Sequence, residues 1–257
     1  MEKRILGRTG LEAGRLGMAA SFGVPARVVE QAFERGVNYL YWGSFRRGPF
    51  GQALRNLKPQ RDRMVLALQS YSRVAALMQP SVEIALRKLG FEYADVLLLG
   101  LWNHKPPPRI LDASRRLRER GLIRNVAIST HHRPLVSSLS ADPDIGIVHV
   151  RYNAVHPGAE REVFPLLAGN GNRPGVVAFT ATSWRQLLDP KRVPPGERVP
   201  TATDCYRFVL SNPAVDVCMT GPSNEAHAGE ALCAIELGPM SAEELAWMRR
   251  VGDFIHK

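Results

Sequence analysis

Short apolar runs alternate along this chain with longer segments whose apolar residues recur every three or four positions. The run Asp95–Leu99 reads Asp-Val-Leu-Leu-Leu without polar alternation, which is typical of a parallel strand covered on both faces. The segment Pro25–Arg35 has apolar residues at helical spacing and is followed by Gly36, a residue type that commonly ends helices. The pattern therefore indicates strands that alternate with helices.

Eight strands with intervening helices are predicted in this way. The predicted strands are Leu16–Ala20, Asn38–Tyr41, Met64–Leu68, Asp95–Leu99, Val126–Ser129, Ile145–Val150, Val176–Phe179 and Val215–Met219. The predicted helices are Pro25–Arg35, Phe50–Leu57, turns through Leu89 with Ser81 as N-cap, Arg109–Arg120, Leu135–Leu139, Glu160–Leu167, Thr203–Leu210 and Asn224–Ile235. A hairpin over Arg4–Glu12 is expected to turn at Thr9-Gly10, and Ser241-Ala242-Glu243-Glu244 is a capping box that begins a last helix.

This alternation predicts an α/β protein, a single (βα)8 TIM barrel over residues 1–257, with an N-terminal β-hairpin and an extra C-terminal helix. An open doubly wound sheet is the competing fold. No Gly-x-Gly-x-x-Gly motif follows the first strand, which argues against a Rossmann sheet. The Pro-rich stretches Lys105–Pro108 and Arg192–Gly196 are short, so we expect one domain without a linker.

Composition narrows the class of protein. The formal net charge is +10, but the arginines interleave with acids in helices such as Asp112–Arg120, and no nucleic-acid motif accompanies them. We therefore expect no nucleic-acid partner. The cysteines Cys205, Cys218 and Cys233 lack CxxC spacing and are expected to be reduced thiols. Without an apolar stretch of about 18 residues, we expect a cytoplasmic protein with no membrane partner, and its oligomeric state stays open.

Two further kinds of site lack support in the sequence. The histidines His131, His132, His149 and His156 have neither a close ligand spacing nor a neighbouring carboxylate, so we expect no metal site. Ser183 has no recognisable His and Asp partners, so a hydrolase triad is not supported.

Short motifs of one enzyme family run through the whole chain in that family's order. They are Leu6-Gly7-Arg8-Thr9-Gly10-Leu11 with Arg15-Leu16-Gly17-Met18, Arg35-Gly36-Val37-Asn38-Tyr39, Leu86-Arg87-Lys88-Leu89-Gly90 with Tyr93-Ala94-Asp95, Gly121-Leu122-Ile123-Arg124 with Ala127-Ile128-Ser129, Arg151-Tyr152-Asn153, and Ser211-Asn212-Pro213-Ala214-Val215 with Thr220-Gly221-Pro222. In these segments the chain resembles the aldo-keto reductases. The resemblance implies the barrel fold and NADPH-dependent reduction of carbonyl compounds, in which a Tyr acid is assisted by Asp, Lys and His.

The four catalytic positions implied by the resemblance hold other residues here. Tyr41 stands at the position of the Asp, Arg46 at that of the proton-donating Tyr, Gln69 at that of the Lys and Gly100 at that of the His. The family's Lys cation lowers the pKa of its Tyr, whereas Gln69 is uncharged and Arg46 keeps its proton near neutral pH. An alignment shift of one or two residues would place Phe45 at the tyrosine position, which still supplies no hydroxyl.

Hydride transfer would then require another proton donor. Tyr41, Tyr71 and His104 are candidates, because a phenol or an imidazole can donate a proton to a developing alkoxide. We predict that Tyr41, Arg46, Gln69 and His104 replace the usual catalytic set. A solvated loop position for His104 is an open alternative.

The positions implied to hold NADP(H) are partly kept. Near the nicotinamide they are Ser129, Thr130, His149 and Phe179, in the pyrophosphate loop Thr180 and Thr182, and at the adenosine-phosphate end Gly221, Ser223, Asn224 and Glu230. By resemblance, Ser129 would hold the carboxamide and Phe179 would stack on the ring. A helix N-terminus after Gly221 suits an anion on physical grounds. The family's basic partner of the 2′-phosphate is not clearly present, and His227 is the nearest candidate.

Several side chains beyond the predicted strand ends could bind a substrate. Arg46, Arg47 and Arg151 lie on the barrel face that holds active sites and could clamp a carboxylate or phosphate through paired hydrogen bonds. The predicted substrate-binding set is Trp102, Asn103, Arg151 and Trp184. A solvated Arg47, an Arg151 paired with a structural acid and a Trp184 that only covers the barrel edge are the alternatives.

Two function classes follow from these observations. The first hypothesis is a divergent aldo-keto-reductase-like oxidoreductase that interconverts a small polar or anionic carbonyl compound and its alcohol with NADP(H). The alternative is a barrel without redox activity, either a non-redox enzyme or a protein that binds an anionic metabolite, because a fold does not fix a function. DNA binding through the positive charge is the least favoured hypothesis.

Overall fold

The computed structural model describes residues 2–43, 46–168 and 171–256. The strands in these ranges are β1 (Lys3–Ile5), β2 (Glu12–Gly14), β3 (Leu16–Ala19), β4 (Tyr39–Trp42), β5 (Val65–Ser70), β6 (Ala94–Leu99), β7 (Ile123–Thr130), β8 (Ile145–Arg151), β9 (Gly175–Phe179) and β10 (Val217–Thr220). Within that part of the chain, eight parallel strands close into a barrel in the order β10-β3-β4-β5-β6-β7-β8-β9. Strands β1 and β2 form a separate antiparallel hairpin. The predicted (βα)8 barrel with its N-terminal hairpin is confirmed.

Helices follow the barrel strands in alternation. They are α1 (Ala26–Glu34), α2 (Gly48–Asn56), α3 (Ala75–Leu89), α4 (Pro108–Glu119), α5 (Leu135–Ala141), α6 (Ala159–Glu162), α7 (Phe164–Leu167), α8 (Ala202–Leu210), α9 (Glu225–Leu237) and α10 (Ala242–His256). Short 3-10 segments lie at Ala20–Phe22, Lys58–Arg63, Gln186–Leu188 and Pro190–Arg192. Among the described residues, no helix is long and apolar enough to cross a membrane.

Alternate side chains of each strand point into the barrel or toward the helices, as the strand period of two requires. The interior cluster contains Tyr39, Val65, Ala67, Val96, Leu98, Ala127, Ile147, Val177 and Val217. Leu6 and Ala13 of the hairpin segment are fully buried in the same cluster. Gly7 of this segment bridges to Pro174, immediately before β9. The hairpin therefore covers the amino-terminal end of the interior, and the carboxyl ends of the strands form the open face.

Two local predictions were wrong. Ser81 is not an N-cap, because α3 begins at Ala75 and continues through Pro80. The Ser81 hydroxyl instead donates a hydrogen bond to the carbonyl of Met78 at 2.7 Å. Burial of a four-residue apolar face on α3 offsets the backbone hydrogen bond that Pro80 cannot donate.

The predicted helix Glu160–Leu167 is divided into α6 and α7. Val163, with φ −122° and ψ −58°, separates them, and Pro165 lies in the first turn of α7. Proline has no N–H to extend a helix. The predicted capping box at the start of α10 is confirmed, since the Glu244 amide donates to Ser241 Oγ and the Ser241 amide donates to Glu244 Oε2.

Candidate functional site

A cavity of about 250 Å³ lies at the carboxyl ends of the barrel strands. It is lined by Ala19, Tyr41, Gln69, Tyr71, Leu98, Leu101, Ser129, His131, His149, Phe179 and Met219. Each strand from β3 to β10 supplies at least one of these residues, so the cavity exists only when the barrel is closed. Of the residues predicted from the sequence, Tyr41, Gln69, Ser129, His149 and Phe179 meet here.

Tyr41 presents a protonated phenol to this cavity. Burial, together with the neighbouring Tyr71, raises the pKa of Tyr41 above its usual range, so the hydroxyl keeps its proton at neutral pH. A Cβ atom at Gly43 would lie 2.7 Å from the Tyr41 ring and 2.8 Å from the Ser21 hydroxyl. The absence of a side chain at Gly43 thus leaves room for the Tyr41 ring.

Gln69 and Tyr71 fill the space beside Gly100. A Cβ atom at Gly100 would lie 2.6 Å from Gln69 Nε2 and 2.6 Å from the Tyr71 ring. A longer side chain at this position is therefore incompatible with the observed placement of Gln69 and Tyr71. This part of the cavity wall is formed by an amide and a phenol.

His149 is a neutral imidazole inside the barrel. Its Nε2 lies 2.9 Å from the hydroxyl of Tyr39, and burial lowers the pKa of His149 to about 3. Burial also raises the pKa of Tyr39, so the Tyr39 hydroxyl keeps a proton that needs an acceptor. We infer that Tyr39 donates to Nε2, which places the proton of the neutral His149 ring on Nδ1. Sequence reasoning missed Tyr39, because nothing local marks its contact with His149.

His131 and Phe179 form a further part of the cavity wall. Their ring centroids lie 5.6 Å apart at an interplanar angle of 73°. The amide of His131 donates to Asn103 Oδ1 at 3.1 Å, so Asn103 positions His131 and does not itself line the cavity. The sequence offered His131 only as a metal-ligand candidate. In the described part of the chain, no group of three His, Cys, Asp or Glu side chains is placed to hold a metal.

The model of the aldo/keto reductase family matches residues 20–192. The chain belongs to this family. It is similar in fold to aldo-keto reductase AKR11C1 from Bacillus halodurans in its holo form, at 23% identity and a TM-score of 0.81, over 98% of this chain and 96% of that one. It is also similar in fold to an aldo/keto reductase from Klebsiella pneumoniae in complex with NADP and acetate, at 18% identity and a TM-score of 0.80, over 98% of this chain and 96% of that one.

The loop after β9 has the strained backbone that is common at functional sites. Thr180, Ser183, Trp184 and Arg185 have φ angles of 63°, 49°, 52° and 71°, in the left-handed region that costs a non-glycine residue about 1–2 kcal/mol. The buried hydroxyl oxygens of Thr180 and Ser183 have no hydrogen-bond partner among the described residues. Thr182 Oγ1 accepts from the amide of Arg185 at 3.3 Å. The loop of this aldo/keto reductase chain thus combines left-handed backbone with two hydroxyls that lack partners among the described residues and are shielded from solvent.

The residues after β10 are more fully engaged with one another. Asn224 caps α9 by accepting from the amide of His227 at 2.9 Å, and the Ser223 hydroxyl lies 2.9 Å from His227 Nδ1. A Cβ at Gly221 would overlap the Phe22 ring. Glu230 is exposed. A phosphate at this end would have to compete with contacts that the protein already makes.

Four other predicted residues lie away from the cavity. Thr130 is buried, and its hydroxyl oxygen accepts from the amide of His132 at 2.9 Å.

His104 is exposed, and its ring packs against Trp102 at a centroid distance of 5.2 Å. The guanidinium of Arg73 lies over the Trp102 ring, 3.7 Å from its centroid. Arg46 is exposed beside Gly23. The structure therefore does not bring Arg46 or His104 together with Tyr41 and Gln69 in the cavity wall.

The alternative tyrosine position, Phe45, lies outside the described residues. Arg47 stacks on Trp42, with its guanidinium 4.1 Å from the ring centroid, and donates to the carbonyl of Gly43 at 3.0 Å. Trp42 and Arg47 line a second cavity of about 270 Å³ against α3, which reaches Gln69 from outside the barrel.

Arg151 and Trp184 lie together on another part of the mouth, where the Arg151 guanidinium is 5.7 Å from the Trp184 ring centroid.

Proposed function

We propose that this chain catalyses the NADP(H)-dependent interconversion of a small polar carbonyl compound and its alcohol. The observation that carries the proposal is the meeting of Tyr41, Gln69, Ser129, His149 and Phe179 around one cavity of about 250 Å³. A cavity of this size suits a small substrate. Membership of the aldo/keto reductase family supports reductase chemistry, and the Klebsiella pneumoniae relative is described in complex with NADP.

Ser129, His149 and Phe179 are the residues proposed to hold the nicotinamide. The Phe179 ring offers an apolar face, and the Nδ1–H of His149 is a donor suited to a carboxamide oxygen. Thr180 and Thr182, in the loop after β9, are the proposed contacts of the pyrophosphate. Gly221, Ser223, Asn224 and Glu230 are the proposed contacts of the adenosine end. A nicotinamide held there would supply or accept a hydride.

Tyr41 is the proposed proton donor to the alkoxide oxygen. A tyrosine hydroxyl is protonated at neutral pH, and burial together with Tyr71 raises the pKa of Tyr41 further. An alkoxide is a stronger base than a phenolate. Proton transfer from Tyr41 to the alkoxide is therefore downhill. A donor whose pKa lies far above the working pH is less efficient than a matched one, so we expect slow turnover. Gln69 is proposed to hydrogen-bond the same oxygen through its amide.

The proposal is tested by titrating the purified chain with NADPH and NADH and measuring tryptophan fluorescence and binding calorimetry. We expect micromolar NADPH binding that Phe179→Ala and His149→Ala weaken about tenfold, because each removes one ring contact or hydrogen bond worth about 1.4 kcal/mol. Leu237→Ala, an exposed position at the end of α9, is the control and should bind as the parent does. Absence of binding by both methods would overturn the proposal.

A second candidate is a barrel that binds a small molecule without redox chemistry. The observation that favours it is the crowded wall at Gly100, where Gln69 and Tyr71 occupy the space beside the strand end and bring no charged group. A panel of carbonyl compounds and alcohols separates the candidates. Turnover that requires NADP(H) supports the reductase, whereas binding or turnover that is independent of the cofactor supports this second candidate.

A further inference from the structure

Arg151 is a partly buried cation that the described chain leaves without an acidic partner. It is the last residue of β8 and lies on the same face as His149, which lines the cavity. Its Nε atom is buried and has no hydrogen-bond partner among the described residues. Glu162 is engaged by Arg133 at 2.9 Å. The sequence-based alternative in which Arg151 pairs with a structural acid is therefore not what the structure shows.

Aromatic and basic side chains from four parts of the chain meet at Arg151. The Trp184 ring centroid lies 5.7 Å from the Arg151 guanidinium and 6.0 Å from the His156 ring. The ring of His256, near the end of α10, lies 5.8 Å from the ring of His156. His131 completes the group, which we call the Arg151 cluster: His131, Arg133, Arg151, His156, Trp184 and His256. The cluster thus forms only when the β7 loop, the β8 end, the β9 loop and α10 pack together.

The charge of the Arg151 cluster is one-sided. Burial, together with Arg151, His256, Arg133 and His131, lowers the pKa of His156 to about 4. Burial and Arg151 likewise lower the pKa of His131. The carboxylate beside the cluster, Glu162, neutralises Arg133. Both histidines are therefore neutral at physiological pH, and Arg151 carries the positive charge that no acid neutralises among the described residues. A partly buried guanidinium without a neighbouring acid favours the approach of an anion.

We propose that the Arg151 cluster binds a carboxylate or phosphate group of the substrate, next to the cavity in which the carbonyl group of the same molecule reacts. The assignment to a substrate rests on the proposed function, whereas the binding of an anion stands on the cluster alone. A guanidinium donates paired hydrogen bonds to such groups. His131 lines the cavity and also neighbours Arg151, so one small molecule can reach both places. The substrate class is a short carbonyl compound with an acidic group.

Arg46 and Arg47 do not share this anion. They follow β4, and Arg151 ends β8, so they lie on opposite sides of the closed barrel. The Arg47 guanidinium is already stacked on Trp42. The single clamp of three arginines expected from the sequence is therefore replaced by a cluster built around Arg151.

The first test measures binding of inorganic phosphate and of acetate to the chain without cofactor. Histidine ring resonances are followed by NMR in the parent, in Arg151→Gln and in Arg109→Gln, an exposed arginine at the start of α4. We expect phosphate to shift the His131 and His156 resonances, with affinity reduced about tenfold or more by Arg151→Gln and unchanged by Arg109→Gln. Equal weakening by both variants, or no histidine shift, would overturn the proposal.

Arg151→Lys keeps the proposal testable if Arg151→Gln unfolds. Lysine retains the positive charge but not the paired donors, so phosphate affinity should fall between those of the parent and of a folded Arg151→Gln variant. Parent-like affinity in Arg151→Lys and unchanged affinity in a folded Arg151→Gln variant are both contrary outcomes. Thermal unfolding of each variant establishes that it is folded.

A second measurement separates a substrate anion from a cofactor phosphate. Phosphate binding is repeated with saturating NADPH, and simultaneous binding of both supports the substrate assignment, whereas competitive displacement of phosphate by NADPH overturns it. If NADPH does not bind but phosphate still does, the reductase proposal fails and the anion site stands. With turnover in hand, 4-oxobutanoate should have a KM about tenfold or more below that of butanal, and Arg151→Gln should abolish this difference.

Discussion

The hydroxyl group of Tyr39 lies 2.9 Å from Nε2 of His149, and both side chains are buried inside the barrel. Because burial raises the pKa of the phenol and lowers the pKa of the imidazole, both groups are neutral at physiological pH. The phenol then donates, and His149 presents its Nδ1–H as its remaining donor. A pair of residues 110 positions apart in the chain thus fixes the hydrogen-bonding character of one wall of the cavity.

Acid should destabilise the fold through His149. The pKa of His149 falls from the ordinary histidine value of 6.5 to about 3 in the folded chain, so its contribution is complete above about pH 6.5. Below that pH the unfolded chain binds a proton that the folded chain does not. The free energy of unfolding therefore decreases by up to about 1.4 kcal/mol per pH unit toward pH 3. Urea unfolding at pH 7, 6, 5 and 4 measures this slope.

The His149→Gln variant is the comparison for this slope, since glutamine does not titrate. The difference in unfolding free energy between the parent and His149→Gln should change by close to 1.4 kcal/mol per pH unit, which is about the slope expected for one proton. Parallel pH dependences of the two proteins would contradict the assignment, because His156 and the carboxylates titrate in both.

Tyr39→Phe should leave His149 Nε2 buried without a donor. We expect a loss of about 1–3 kcal/mol in unfolding free energy and a change in the His149 tautomer, visible in its ring nitrogen chemical shifts. Tyr93→Phe is the matched control, because the Tyr93 ring lies between Arg61 and Arg124 on the outer surface. An unchanged tautomer in a folded Tyr39→Phe variant would show that Tyr39 does not set it.

Tyr41→Phe should lower turnover without weakening the binding of the cofactor. Removal of a general acid costs about 10²–10⁴-fold in rate, whereas the ring retained by phenylalanine keeps the packing against Gly43. The measurement is kcat with NADPH, together with the NADPH dissociation constant. Tyr93→Phe again serves as the control. Parent-like turnover in Tyr41→Phe would transfer the donor role to another group, with Tyr71 next in the cavity wall.

Alanine substitutions at two glycines in the C-terminal helices should change the unfolding free energy in opposite directions. A Cβ at Gly252 would overlap the backbone carbonyl of Ala154, so Gly252→Ala should separate α10 from the β8 loop and cost about 1–3 kcal/mol or more. A Cβ at Gly229 meets nothing within 4 Å, so Gly229→Ala should stabilise α9 by about 0.5–1 kcal/mol. Denaturant unfolding of both variants checks the pair, and a stable Gly252→Ala protein would contradict the packing of α10.

Several parts of the fold followed from local sequence alone. The apolar run at Asp95–Leu99 predicted β6, which spans Ala94–Leu99, because a strand buried on both faces needs consecutive apolar residues. The capping box at Ser241 and Glu244 predicted the start of α10, because its hydrogen bonds join residues three positions apart. The effects of Pro80 and Pro165 could not be predicted from local sequence. A proline is tolerated in a helix or disrupts it according to how that helix packs.

The candidate site residues were also only partly predictable from the sequence. The resemblance to the family's motifs selected Tyr41, Gln69, His149 and Phe179, which the closed barrel brings to one cavity. His104 was selected because it follows a predicted strand by a few residues, and the chain after β6 places it at the surface. A residue beyond a strand end can face the cavity or solvent, and the loop conformation decides which.

The sequence by itself determined the alternation of strands and helices, the family and the face of the barrel on which polar residues gather, because each depends on neighbours in the chain. Only the tertiary structure decided that Tyr39 meets His149 and that Arg151 meets Trp184 and His156. Those contacts depend on strand register, barrel closure and the docking of α10. Residues far apart in sequence acquire a common environment, and with it their pKa values and unsatisfied charges, only when the chain has folded.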